Sequence, residues 1–473
     1  MAGSRKRKFY EVSDENIAIQ KFKRYHQKIC DASIDLPIEK PIRRMNRILI
    51  DSKDDVFIFV DFAKYVRKSV DIKLIICLLS RYNASLSAFD TSIFDLLRIL
   101  ERTYQINLSA FFPLTWSSQA KDSYQQLQNF GATLHNRLTS DQVLGHLDPE
   151  RVWLSLLAID AKKVKCDQNL YDPRFLLRCF ISTVEEGSDV NFFQKFFLTN
   201  NFQLTARKFI DSNALSFAFA ATSCSDKKER AVSYYILRRF LERLNELSAE
   251  NFVEKPLFAY LLRIFRNSIP RPNERLPHVV SHFFARTSKL LLNPSDSVYA
   301  SILAFLTLKP TVDIGNVPEF YKLFLSSSTH FHNDERHWIL KLLSGAMIEP
   351  NDYNILQKKS GITLCLSLFA SNISDRITRK YILLILRSVL KFPSLAYDLF
   401  HRHNFHSWIA LTIQQSFISQ WDAVFLCQLF ITLYEQIKSY CLIKRKNPMK
   451  LGSVSMKQRM LQMVAPKVDF LLF

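Results

Sequence analysis

Glycine is the residue this chain most conspicuously lacks. A usual share of about 7% would place roughly 33 glycines in a chain of this length, whereas 473 residues contain 8, at positions 3, 131, 145, 187, 315, 345, 361 and 452. No two lie close enough to build a P-loop or a dinucleotide fingerprint, both of which need glycine for close backbone approach to phosphate. The same scarcity argues against hairpin-rich β architectures and for helices joined by polar or proline loops. Long apolar runs are also missing. The longest span about six residues, as in LIICLL and YILLIL, well short of the ~18 that a membrane span requires. The charged start MAGSRKRKFYEVSDEN is followed by no apolar core of a secretory signal. The eight cysteines form no CxxC pair and mostly sit in apolar runs such as KLIICLLSRY and GITLCLSLF, which reads as buried small hydrophobes in a reducing compartment. A GxSxG elbow is missing too, and glycine scarcity removes the commonest oxyanion-hole turns. We therefore expect no enzymatic activity and no cofactor.

What is present is positive charge and aromatic bulk. Sixty-four Lys and Arg against 44 Asp and Glu give a net charge of +20, the footprint of a protein that meets a polyanion. With 39 Phe and 48% hydrophobic residues the chain can bury an extensive core. Residues 1–47 carry Arg5, Lys6, Arg7 and Lys8, a candidate nuclear import signal, then Lys21, Lys23 and Arg24, candidate nucleic-acid contacts; this segment is expected to be a basic flexible arm. Residues 441–473 form a second basic segment, with Lys444, Arg445, Lys446 and Lys450 as candidate phosphate contacts.

Residues 48–440 read as successive amphipathic helices. In SDKKERAVSYYILRRFLERLNELS, Val232, Ile236, Phe240, Leu244 and Leu247 recur at helical spacing, with Ser225 as the expected N-cap. Similar units with short connectors predict an all-α fold, an irregular α-solenoid of antiparallel helices of HEAT or armadillo type. DDVFIFVDF and NFFQKFFLTNNF are compatible with strands or buried helices and are taken as helical by context.

Three histidine groups invite a metal reading, and each has a plainer one. HVVSH sets His278 and His282 one turn apart without the glutamate of HExxH, so a surface or groove pair is expected. In HRHNFHSW only His403 and His406 would share a helix face, and no cysteine or carboxylate nearby completes a tetrahedral set. In NVPEFYKLFLSSSTHFHNDERHWIL a helix beginning at Val317-Pro318 would bury Phe320, Tyr321 and Phe324, and the next would start from an Asn333 cap. Asp334 and Glu335 would then serve its first turn, Trp338, Ile339, Leu342 and Leu343 would be its buried stripe, and His330 and His332 would lie in the loop between. No metal site is expected at any of the three.

Several stretches resemble the C-terminal domain of the nucleolar pre-ribosomal-associated protein 1 family: VPEFYKLFLSSS, ERHWILKLLSGAMIEPNDYNILQKKSGITLCLSLFAS, SVLKFPSLAYDLFHRHNFHSWI, LERTYQINLSAFFPLTWSSQA, LYDPRFLLRCF and KFIDSNALSFAFAATSCSDKKERAVSYYIL. They occur in the family's order and extend from about residue 95 to 410. The resemblance implies a non-enzymatic nucleolar scaffold in assembly of the large ribosomal subunit, bound to pre-rRNA and early assembly factors, with no membrane and no small-molecule substrate. Family members are generally far longer, so this chain is expected to be a shortened relative or one part of a longer or divided protein. A helical adaptor in the nucleus that binds proteins without touching RNA is the alternative, and a metal-dependent hydrolase using the histidine groups is a third reading.

Overall fold

The computed structural model describes residues 2–32, 38–51, 60–108, 111–131, 139–160, 167–185, 206–247, 252–327 and 330–446, with the backbone alone at 2–14, 60 and 444–446. Among them the regular structure is helical, and the sole β-type pairing is an isolated bridge between Ser85 and Tyr171. The expected all-α class holds. No helix among the described residues is long and apolar enough to cross a membrane. NFFQKFFLTNNF and most of DDVFIFVDF lie outside the described residues; Val60, Asp61 and Phe62 of the latter open the Val60–Ser69 helix.

The chain divides into two compact units, Met1–Ile348 and Glu349–Phe473. The stretch 48–440 expected as one helical domain extends over both units, and its two boundaries fall inside helices, Glu39–Asp51 and Gln420–Lys446. The basic N-terminal segment is also built into the first unit. Residues Ala2–Cys30 form one helix, Phe22 and Ile29 on it are fully buried, and Glu15 accepts the Phe62 amide at 2.8 Å. Apolar positions at helical spacing outweigh the basic residues between them, so the segment packs where a flexible arm was expected.

The first unit is organised around the short helix Ala214–Ala221, ALSFAFAA, whose eight residues are all buried. With no polar face it must be enclosed, and it packs against Pro149–Leu157, Lys227–Glu246 and His278–Leu290. An aromatic seam runs through it. Phe217 meets Phe180, which meets Phe209 at 5.5 Å, while Phe219 meets Phe265 at 5.0 Å and Phe265 meets Phe284 at 4.9 Å. Phe283 continues the seam to Phe305 and Trp338. Most of these pairs are edge-to-face, an arrangement worth about 0.5–1.5 kcal/mol beyond simple burial. In the second unit Gln420–Lys446 receives Arg376–Val389, Pro393–His403 and Phe405–Ile413, and Trp408 lies between Phe369 and Phe405.

Several local expectations shift by a residue or a face. Asp226, not Ser225, caps Lys227–Glu246, because Ser225 is engaged by Asp160 through both its amide and its hydroxyl. The helix expected from Val317 is only Phe320–Phe324, since Glu319 at φ 51° ends the regular backbone before it; Phe320 and Phe324 are buried, but Tyr321 is exposed. The following helix is His332–Ala346, so His332 opens it and Asn333 lies inside it. Glu335 is buried and accepts from the Ser301 hydroxyl, going beyond a first-turn role. Ile339, Leu342 and Leu343 are buried as expected, while Trp338 is half-buried.

Scarce glycine has a conformational consequence. Among the described residues nine non-glycine residues adopt positive φ, Ala84, Gln105, Ser117, Glu319 and Ser360 among them, against one glycine, Gly131. A left-handed conformation costs an L-residue about 1–2 kcal/mol, part of which glycine returns through its extra unfolded-state entropy. At exposed Gln105, φ 55°, Gln105→Gly is expected to raise stability by about 0.5–1 kcal/mol in urea unfolding. Gln105→Ala, which keeps the Cβ, is expected to give no such gain.

Candidate nucleic-acid interface

The basic residues fall into two groups that folding arranges differently. On Ala2–Cys30, Phe22 and Ile29 face inward, leaving Lys21, Lys23, Arg24 and Lys28 exposed. The adjoining Glu39–Asp51 helix buries Ile42, Met45, Asn46 and Leu49 and exposes Lys40, Arg43, Arg44 and Arg47. The two helices pack together, and Arg44 donates to the Tyr25 hydroxyl at 3.4 Å, so both basic faces belong to one surface. Among its cations only Arg43 has a carboxylate partner within the described residues, Glu39 one turn away. The sequence pointed to Lys21, Lys23 and Arg24, which are exposed here, and missed the contribution of Glu39–Asp51. The backbone at Arg5, Lys6, Arg7 and Lys8 continues the N-terminal helix, and Lys444, Arg445 and Lys446 end the Gln420–Lys446 helix; Lys450 lies outside the described residues.

The second basic group could not be read from sequence at all. The Trp153 indole is faced by the Arg286 guanidinium, 5.2 Å from its ring centroid, and by the Lys289 ammonium at 5.0 Å. Arg286 donates to the Lys341 carbonyl at 3.3 Å, which brings a third cation to the cluster. Burial, followed by repulsion from Arg286 and Lys289, pushes the Lys341 ammonium below its usual range, and Glu150 opposes this only in part. Cations crowded on an aromatic face suit a phosphate backbone, whose charge relieves the repulsion, and a base that can stack alongside. Trp153, Arg286, Lys289 and Lys341 come from three helices far apart in sequence. No local motif announces them.

The histidines lie elsewhere than expected. His278 and His282 are 2% and 0% exposed on His278–Leu290, which corrects the reading of a surface or groove pair. The helix is so nearly enclosed that its polar residues are buried with the apolar ones. His278 lies 3.8 Å from Asp160, whose carboxylate also pairs with Arg275 at 3.2 Å. Among the described residues neither ring nitrogen of His282 has a hydrogen-bond partner, and burial drives its pKa well below the usual range. His403 and His406 do not share a helix, because Asn404 at φ 46° separates Pro393–His403 from Phe405–Ile413. His406 stacks on Phe400 at 4.3 Å, and burial lowers the pKa of both histidines. Among the described residues neither histidine group gathers a third ligand atom within reach of one ion. The cysteines at 30, 77, 179, 224 and 365 are buried, and those at 427 and 441 are half-buried.

The fold and these surfaces define an all-α protein with two cation-rich faces, one of them backed by tryptophan. Residues 215–408 match the model of a family described as Nucleolar pre-ribosomal-associated protein 1. The chain is similar to Nucleolar pre-ribosomal-associated protein 1 of Mus musculus, 28% identical over 360 residues, and of Homo sapiens, 26% identical over 359 residues. Each alignment covers 72% of this chain and 15% of the relative. The resemblance read from the residues stands: the chain is similar to that family over these residues. It matches a small fraction of the length of the curated relatives. No solved structure matches it.

His282 makes stability depend on pH. In the folded protein its imidazole stays neutral well below the ordinary value of 6.5, whereas the unfolded chain takes up a proton near 6.5. The unfolded state therefore binds more protons as pH falls, and folding stability falls with it. Between pH 7.5 and 5.5 the loss from this residue is expected to be about 1 kcal/mol. Urea unfolding of His282→Leu is expected to lack that increment.

Proposed function

We propose that this chain is a non-enzymatic nucleolar scaffold in assembly of the large ribosomal subunit, binding pre-rRNA and early assembly factors through its cationic faces. The observation that carries the reading is the Trp153 cluster. Arg286, Lys289 and Lys341 all lie within residues 215–408, the segment matching the nucleolar family, and nothing about a core would call for two cations on one indole with a third beside them. The relatives' name associates them with pre-ribosomes in the nucleolus, and the reading places this chain in the nucleus and nucleolus with them. Helices packed into extended faces need no catalytic group to hold partners, and neutralising phosphates requires little base readout.

The second reading, a helical adaptor that binds proteins alone, is favoured by one feature. A cavity of about 340 Å³ is lined by Pro256, Leu257, Tyr260, Leu291, Leu303 and Leu306, almost wholly apolar. Leu308 and Val253 are each about four-fifths exposed. Nuclease treatment separates the two readings: partners retained after RNA is digested support the adaptor.

Crosslinking of the tagged chain followed by sequencing of bound RNA is expected to enrich large-subunit precursors over mRNA. The charge-removing variant Arg286→Gln/Lys289→Gln/Lys341→Gln is expected to weaken binding to a model RNA and to shallow the salt dependence, by about one unit of log–log slope for each phosphate that is no longer neutralised. Salt-insensitive association, or a slope unchanged by the triple variant, would overturn the RNA reading at this face.

A further inference from the structure

The end of the N-terminal helix and the start of Ile72–Leu79 bring together three side chains with metal-ligating atoms. Cys30 Sγ lies 4.0 Å from His26 Nε2, His26 Nε2 lies 3.8 Å from Asp71 Oδ1, and all three atoms are within 4.8 Å of one another. We propose that His26, Cys30 and Asp71 bind one zinc ion, with water in the fourth position.

The donor set is the first argument. Nitrogen, sulfur and carboxylate oxygen are the ligand types zinc takes, and bonds of about 2.0–2.3 Å at tetrahedral angles set ligand atoms about 3.3–3.6 Å apart. The observed separations need only a modest contraction, within reach of side-chain rotation. Charge is the second argument. A thiolate and a carboxylate cancel the charge of a divalent ion, which matters in a chain of net charge +20 with Lys73 close to the site.

Preorganisation is the third. His26 and Cys30 are one helical turn apart, and that turn is fastened on both sides. The Tyr124 hydroxyl donates to the Cys30 carbonyl at 3.1 Å, and the Cys77 thiol donates to the Ile29 carbonyl at 3.2 Å. Phe22 stacks against the His26 ring, with centroids 6.2 Å apart. Asp71 is fixed as the N-cap of Ile72–Leu79 by the Leu74 amide at 2.9 Å. Its side chain is about half exposed while Cys30 is nearly closed off, so the fourth position opens toward solvent on the Asp71 side. Cys77 is not the fourth ligand, because its sulfur accepts from Arg81 at 2.8 Å.

Burial, with a smaller push from Cys77, raises the Cys30 thiol to about 12, so the metal-free sulfur carries its proton. On binding, the S–H bond breaks, the sulfur–zinc bond forms, and one proton leaves to solvent; no electron is transferred. The ion then joins the N-terminal helix to the Ile72–Leu79 helix directly.

The test uses the full chain with Zn²⁺ alone in equilibrium dialysis and with Co²⁺ as an optical reporter. We expect one zinc per chain, and with cobalt a near-ultraviolet sulfur charge-transfer band together with the visible bands of a tetrahedral site. Cys30→Ser should abolish the charge-transfer band. Asp71→Asn, which preserves the N-cap acceptor and with it the helix, should keep the wild-type circular dichroism and weaken binding at least about tenfold. Failure of the wild type to hold one equivalent, or binding by folded Asp71→Asn and Cys30→Ser equal to wild type, would overturn the proposal.

Discussion

The first unit depends on enclosing a helix that has no outside. Ala214–Ala221 presents phenylalanine on opposite sides and small residues between, so its neighbours must be largely apolar where they touch it. Its small residues admit close approach, and Ser216 and Ser288 meet at 3.0 Å where it packs on His278–Leu290. That second helix is consequently buried along nearly its whole length. Its two histidines are enclosed as a result, one beside Asp160 and the other fully buried next to the first.

The enclosure also decides what remains for the surface. Once phenylalanine and leucine fill the interior, most of the lysine and arginine is left to the outside, and folding gathers part of it on Trp153 and on the N-terminal pair of helices. Buried and half-buried arginines have different work. Arg336 donates to the Phe324 and Ser326 carbonyls and so ties the end of one short helix to the next. Arg174 pairs with Asp172 and Asp95 within the YDPRFLL stretch and beside it. Charge of the same sign thus serves as internal fastening in one place and as an open cationic face in another, and solvent access separates the two.

Much of the helical order was legible because each helix writes its period locally. Ile236, Phe240, Leu244 and Leu247 were expected inside and are inside. What failed was decided by residues distant in sequence. Ser225 would have capped its helix had Asp160 not taken its amide and hydroxyl. His278 and His282 looked like a groove pair because their spacing says nothing of what covers them. The Trp153 cluster and the His26, Cys30 and Asp71 group were illegible for the same reason: each is assembled across helices, and no segment contains enough of it to form a motif. The N-terminal segment misled differently, its basic residues masking an apolar stripe of Phe22 and Ile29.

The sealed Ala214–Ala221 helix also bears on how the protein is made. One of the helices that covers it ends at Leu290, so during synthesis its phenylalanines wait for roughly 70 further residues, about 3–14 s at usual elongation rates of about 5–20 residues per second. For that interval a helix apolar but for one serine has nothing of its own to pack against on one side. Until Leu290 is made that side of the helix is left to provisional contacts, so the order of synthesis bears on folding alongside the stability of the finished fold.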